Sequence, residues 1–239
     1  KLSQAALEQE SEQLEAELAS LRSRKSQIPK RNLDIRDRLV QSLDLKETDL
    51  PFIGELLQVR PEDKPWEGAI ERLLRSFGLC LLVPESHYRV VNTHVNKTDL
   101  RGRLVYYKVT PTAPSPTQRS LDPSQIPAKV QVKQDDVFFE WLRDRLPQQF
   151  NYVCCDDIEQ FSREKRAIIQ AGLIKHGQGR HEKDDSFRIN QRSRYILGWD
   201  NTDKIKALSA ELKAVNQQLA KINQKISTLE AQQAQQEQQ

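Results

Sequence analysis

Between Ile205 and Leu229 the apolar positions recur at steps of three and four without a miss: Ile205, Leu208, Leu212, Val215, Leu219, Ile222, Ile226 and Leu229. Residues spaced this way share one narrow stripe of a helix, the a/d seam of a coiled coil. The positions between them are mostly Lys, Gln, Asn, Ser, Ala and Glu, so the stripe alone calls for burial and needs a partner helix. At about 1.5 Å per residue the seam runs roughly 37 Å. A C-terminal coiled-coil arm over 203–239 follows.

The N-terminal region repeats the pattern less cleanly. Leu7, Leu14, Leu21, Ile28 and Ile35 fall at one heptad position; Leu18 and Leu39 share the other with Ser11, Lys25 and Asn32. Pro29 cannot donate the helical hydrogen bond, so a break belongs there, with a second helix over about 31–43. This predicts an N-terminal arm over 1–48, broken at Pro29. The simplest cover for two seams is each other, the arms packing antiparallel within one chain. Pairing between chains satisfies the same periodicity.

The middle changes character. Phe52–Val59 reads as a strand, 65–77 as an amphipathic helix, 78–83 as a short buried strand, 84–94 as a helix and 103–109 as a third strand. Strand–helix–strand order of this kind predicts a small α/β unit with crossover connections. Five of the eleven prolines then crowd into 110–128, an exposed linker or long loop. Beyond it, Asp135 and Asp136 are placed to cap a helix through Leu146, Tyr152–Cys155 reads as a strand, and Asp156 or Asp157 caps the next helix. Phe187–Ile189 and Tyr195–Leu197 are expected as closing strands. The fold class is therefore mixed α/β, with two small subdomains over 49–109 and 129–202 between antiparallel coiled-coil helices.

Composition agrees with exposed helices on a modest core: the 239 residues are 37% hydrophobic and 30% charged, with a mean hydropathy of −0.73. The chain has no Met and starts and stops inside helical periodicity, which reads as a piece of a longer protein. No apolar run approaches the roughly 18–20 residues of a membrane span, and no basic-then-apolar leader is present. Three cysteines, two of them adjacent, do not suit a disulfide framework; a reduced, cytoplasmic setting is expected. The net charge of +3 is unevenly spread. Residues 163–194 carry nine cations (Arg163, Lys165, Arg166, Lys175, Arg180, Lys183, Arg188, Arg192 and Arg194) against four acids, making this segment a candidate for phosphate contact with DNA. A solvated face with internal salt bridges has the same composition.

Little else points to chemistry. There is no phosphate-binding loop, no dinucleotide fingerprint and no paired cysteine knuckle, so neither cofactor nor metal is expected and the chain reads as non-enzymatic. His176, His181, Asp184 and Asp185 are metal-ligand types within ten residues, but a mixed-charge loop looks alike. Cys154 and Cys155 would point to opposite faces of a strand. Tyr106 and Tyr107 are aromatics for base stacking or, more simply, for packing.

Several strings carry a resemblance. Leu50 to Arg60 (LPFIGELLQVR), Trp66 to Arg72 (WEGAIER), Leu81 to Pro84 (LLVP), Phe150 to Cys154 (FNYVC), the Lys175–Asp185 stretch and Leu197 to Asn201 (LGWDN) resemble the hinge of MukB-like SMC proteins. Within that family they are most similar to the JetC-type SMC-like ATPases of Wadjet plasmid-defence systems. The resemblance covers about residues 28–203 and implies a hinge that homodimerises, joining long arms whose distant heads hydrolyse ATP. It further implies kleisin-like and nuclease partner subunits, DNA loop extrusion, and a place at the nucleoid or on plasmids. The glycine clusters of condensin-type hinges are absent, so no dimer-contact residue carries over. The alternative is a DNA-binding module merely tethered by its arms.

Overall fold

The computed structural model describes residues 2–111, 120–134 and 137–237. It divides into two compact units: one made of Lys1–Lys25 and Thr202–Gln239, the other of Ser26–Asn201.

The first unit is a helical pair, α1 (Leu2–Arg22) and α8 (Thr202–Glu237). Leu18, Leu21 and Leu208 are buried together, with Leu14, Ile205 and Leu212 packed against them. The pairing is antiparallel, as residues approaching the start of α1 meet residues ever further along α8. The Ser11 Oγ donates to Asn216 Oδ1 at 2.8 Å and the Gln4 Nε2 to Asn223 Oδ1 at 3.0 Å. The arms therefore cover each other within one chain.

The N-terminal arm stops sooner than the heptads predict. α1 ends at Arg22, where Ser23 and Arg24 turn back onto the Ser20 and Leu21 carbonyls. Proline disfavours helical backbone in the residue before it, so the chain cannot run helically through Ile28. Ile28, expected in the coiled-coil seam, is fully buried in the globular core instead, and so is Leu39; Ile35 is buried within that globular unit too. Pro29 stands just ahead of α2 (Lys30–Leu43), its carbonyl accepting from Asn32 and Leu33 N–H. α2 closes on Asp44, in the left-handed region at φ 52°, a conformation that Asp tolerates.

The globular unit continues with β1 (Leu57–Val59), α3 (Glu67–Gly78), β2 (Leu81–Pro84), α4 (Glu85–Lys97) and β3 (Tyr106–Val109). Then come α5 (Ile126–Lys129), β4 (Val130–Val132), α6 (Phe139–Gln149), β5 (Val153–Cys155), α7 (Ile158–Arg163), β6 (Ala167–Ile169), β7 (Leu173–Lys175) and β8 (His181–Lys183). β2 and β3 pair in parallel across the α4 crossover, Leu81 opposite Tyr106. β1 does not join them; it pairs antiparallel with β4, Leu57 opposite Val132. The third sheet runs β5-β6-β7-β8, parallel only at β5–β6. Because β1 and β4 come from either side of the Pro-rich segment, the two expected subdomains share one core. Phe52, Ile53, Leu57, Ile70, Leu74, Leu81 and Leu82 at its centre are all but inaccessible, and Leu142, Cys154, Ile168 and Ile196 belong to the same cluster.

Other expectations shift locally. The strand foreseen over Phe52–Val59 survives only as β1, because Ile53–Glu55 form a 3-10 turn closed by the Glu55 carboxylate accepting from Phe52 N–H at 2.9 Å. β6 and β7 lie in a stretch read only as basic. Phe187–Ile189 and Tyr195–Leu197 are not strands: the first is a bend running into a turn, the second irregular chain, and both are held by side chains of α3. Of the linker at 110–128, residues 112–119 lie outside the described residues, but Ile126 and Pro127 are buried. Asp135 and Asp136, the foreseen cap, also lie outside them, whereas Asp157 does cap α7, accepting from Gln160 N–H at 2.7 Å.

Candidate functional site

Two places bear on function: the paired arms, and the segment that returns from the third sheet towards α8. In the arms, burial fades along the seam. Leu208 and Val215 are buried, Leu219, Ile222 and Ile226 partly so, and Leu229 is 63% exposed. On α1, Leu18 and Leu21 are buried, while Leu7 and Leu14 are half-buried. Ser11 takes a seam position yet is buried, because its hydroxyl is satisfied by Asn216. Asn216 itself is exposed beside the seam position Val215, so this polar contact joins the seam to its flank and favours one register over its neighbours.

The return segment, residues 187–197, is gripped by successive residues of α3. Arg72 donates to Phe187 O at 3.0 Å and lies over the Phe187 ring. The buried Glu71 carboxylate accepts from Ile196 N–H and Leu197 N–H, each at 2.9 Å. Glu67 accepts from Arg192 at 2.8 Å. Gly68 permits this close approach, since a Cβ there would stand 2.4 Å from Ile189 O. Sequence reading passed over Glu71; the available signal was a carboxylate directly beside Ile70 and within the apolar repeat of an amphipathic helix. The buried Arg36 was passed over likewise: it donates to Glu55 at 2.6 Å and reaches Glu47 at 3.3 Å.

The nine candidate cations of 163–194 do not form one open surface. Arg166 donates to Gln149 O and Asn151 Oδ1 and lies over the Tyr152 ring. Lys175 donates to Ser162 O at 2.8 Å. Arg180 pairs with Glu182, Lys183 with Asp185, Arg192 with Glu67, and the exposed Arg163 with Glu159 at 3.6 Å. Arg194 lies over Phe187. Lys165 and Arg188 are exposed, and among the described residues their side chains meet no partner.

The remaining candidates are likewise engaged. His176 sits between the Tyr152 hydroxyl at 2.8 Å and Glu182 at 3.1 Å. His181 faces Gly179 O, Asp184 accepts from Ser186, and Asp185 pairs with Lys183. These four do not converge, and among the described residues no group of three or more His, Cys, Asp or Glu could hold a metal ion. Cys80, Cys154 and Cys155 are buried and free; burial pushes the Cys80 thiol up to about 11 and the Cys154 thiol up to about 12. Tyr107 packs between Phe77 and Trp141, and the Tyr106 hydroxyl donates to Asn92. Both tyrosines are structural in these contacts. No described helix is long and apolar enough to cross a membrane.

No protein-family model matches the chain, and no curated protein matches it. Solved structures do. The folded elbow of cohesin is 12% identical with a TM-score of 0.50, covering 96% of this chain. The Pyrococcus furiosus Smc hinge domain with an extended coiled coil is 17% identical, covering 96% of this chain and 80% of that one, with a TM-score of 0.48. The Geobacillus stearothermophilus SMC hinge domain, solved as an asymmetric dimer, is 16% identical, covering 96% of this chain and 99% of that one, with a TM-score of 0.42. This chain spans about a third, 34%, of the cohesin chain. Of the three only the cohesin elbow reaches a TM-score of 0.50, and at 12% identity that likeness is one of fold alone.

Proposed function

We propose that the chain is the hinge of an SMC-like protein, a non-enzymatic joint that dimerises and so links two long coiled-coil arms. The observation that supports this most directly is the in-chain α1–α8 pair, whose strands of sequence leave and re-enter the globular unit at Lys25 and Thr202. A domain inserted at the turn of an antiparallel coiled coil ends one arm; self-association of that domain would join two. Solution mass tests the reading: light scattering should give twice the chain mass, and a strict monomer at high concentration overturns it.

The finer assignment is to the JetC-type ATPase of a Wadjet system, resting on the strings between Leu50 and Asn201. In that setting the full-length parent would be an ATPase working with kleisin-like and nuclease subunits, extruding DNA loops and restricting plasmids near the nucleoid. Co-purification of such subunits with the full-length protein from its host tests it; their absence counts against it. DNA contact by the hinge is the remaining part, and Lys165 and Arg188 are the cations best placed to make it.

A further inference from the structure

The free edge of β4 borders a groove of about 780 Å³ in the globular unit. Lys133 N–H donates to Leu56 O and Arg60 N–H to Lys129 O, each at 2.9 Å. Antiparallel ladders alternate, so Lys129, Gln131 and Lys133 turn their backbone groups towards β1, while Val130 and Val132 turn theirs away. Val130 follows directly on α5, whose last turn engages its N–H. The outward groups of the edge are therefore the Val130 C=O and the Val132 N–H and C=O, for which no backbone partner is found among the described residues; both residues line the groove. A short two-stranded ribbon with an open edge is a template for one more strand.

The groove beside that edge is apolar in its walls, through Phe139, Leu146 and Trp199, and charged at its rim. Three cations line it, Arg60, Lys133 and Arg143, against one acid, Asp144. Arg143 is paired with Glu140, and Arg60 donates to Ala128 O and lies 3.9 Å from Glu62. Lys133 is exposed and, among the described residues, has no side-chain partner. We propose that this groove takes an extended peptide of a partner protein, added as a third strand to β1–β4, with apolar residues facing the walls and acidic residues facing Lys133 and Arg60. Nucleic acid fits less well, since phosphates need cations but no apolar wall or strand edge.

A fluorescently labelled, blocked peptide alternating valine and glutamate serves as the probe, read by anisotropy on the whole chain. Saturable binding is expected. A backbone N-methylated version of the peptide should bind about tenfold or more weakly, since two backbone hydrogen bonds are lost. Val132→Pro removes an outward N–H without touching the β1 ladder and should weaken binding several-fold, and Lys133→Glu should do the same at low salt. Equal affinity for the N-methylated peptide, which involves no variant that might misfold, overturns strand addition. So does the absence of saturable binding, or displacement of the peptide by duplex DNA with the same Lys133→Glu sensitivity. If Val132→Pro instead lowers the chain's own association, the edge belongs to a second copy and the proposal fails.

Discussion

The Glu71 carboxylate and the Leu197 amide meet at 2.9 Å in a buried setting, and Ile196 N–H joins them on the second oxygen at the same distance. One helix side chain thereby satisfies two consecutive backbone donors of a segment that has no sheet of its own. Glu71→Ala would leave both donors buried and unpaired, at about 1–3 kcal/mol each. The expected outcome is a loss of about 2–6 kcal/mol in urea unfolding. A loss well under about 1 kcal/mol would mean that the return segment is held by other contacts.

Gly68 sets a second test, in which two effects oppose each other. Ala is favoured over Gly by up to about 1 kcal/mol inside a helix and by less at Gly68, the second residue of α3, where a Cβ would stand 2.4 Å from Ile189 O. Overpacking of this kind typically costs about 1–3 kcal/mol. Gly68→Ala should therefore be net destabilising in thermal unfolding, and a raised Tm would show that the 189 region moves aside freely.

The arm register is open to cross-linking. Ser11→Cys with Asn216→Cys should form a disulfide within one chain under mild oxidation, without a mass increase on a non-reducing gel. The native thiols, all buried, should not compete. Cross-linked dimers instead would place the pairing between chains.

Alkaline pH should weaken the fold. Burial holds Cys80 at about 11, Cys154 at about 12 and Tyr195 at about 12, above ordinary values of 9.0 and 10.0. Each group is neutral when protonated, and the folded state keeps its proton longer than the unfolded one. Their contribution is therefore fully present below about pH 9 and is lost as pH rises through the folded values. Urea midpoints should be flat with respect to these groups from neutrality to about pH 9 and fall between about pH 9 and 12; a midpoint rising over that window contradicts this.

If the hinge touches DNA, Lys165 and Arg188 should dominate. Neutralising both, Lys165→Gln with Arg188→Gln, should lower the slope of log affinity against log salt by about 2. Neutralising Arg180 and Lys183, already paired with Glu182 and Asp185, should do much less. An unchanged slope in the first variant removes the basic segment from consideration.

The sequence by itself determined the elements whose burial follows one period. The seam from Ile205 to Leu229, the apolar face of α3, the β2–α4–β3 crossover and a cap at Asp156 or Asp157 were all legible, because helix and strand periodicity and local capping are near-neighbour physics. What only the tertiary structure decided depends on contacts distant in sequence. Ile28 continues the heptad register of Leu21, yet it lies in the globular core because the helix ends at Arg22, well short of it. β1 left the crossover sheet for β4 because strand pairing is a choice among partners that alternation cannot rank. The cations of 163–194 read as one charged segment, but most are drawn into ion pairs, carbonyl contacts and ring stacks once the chain closes on itself. Glu71 has no local signal of its partners, because the return segment that brings it two backbone donors lies 125 residues on.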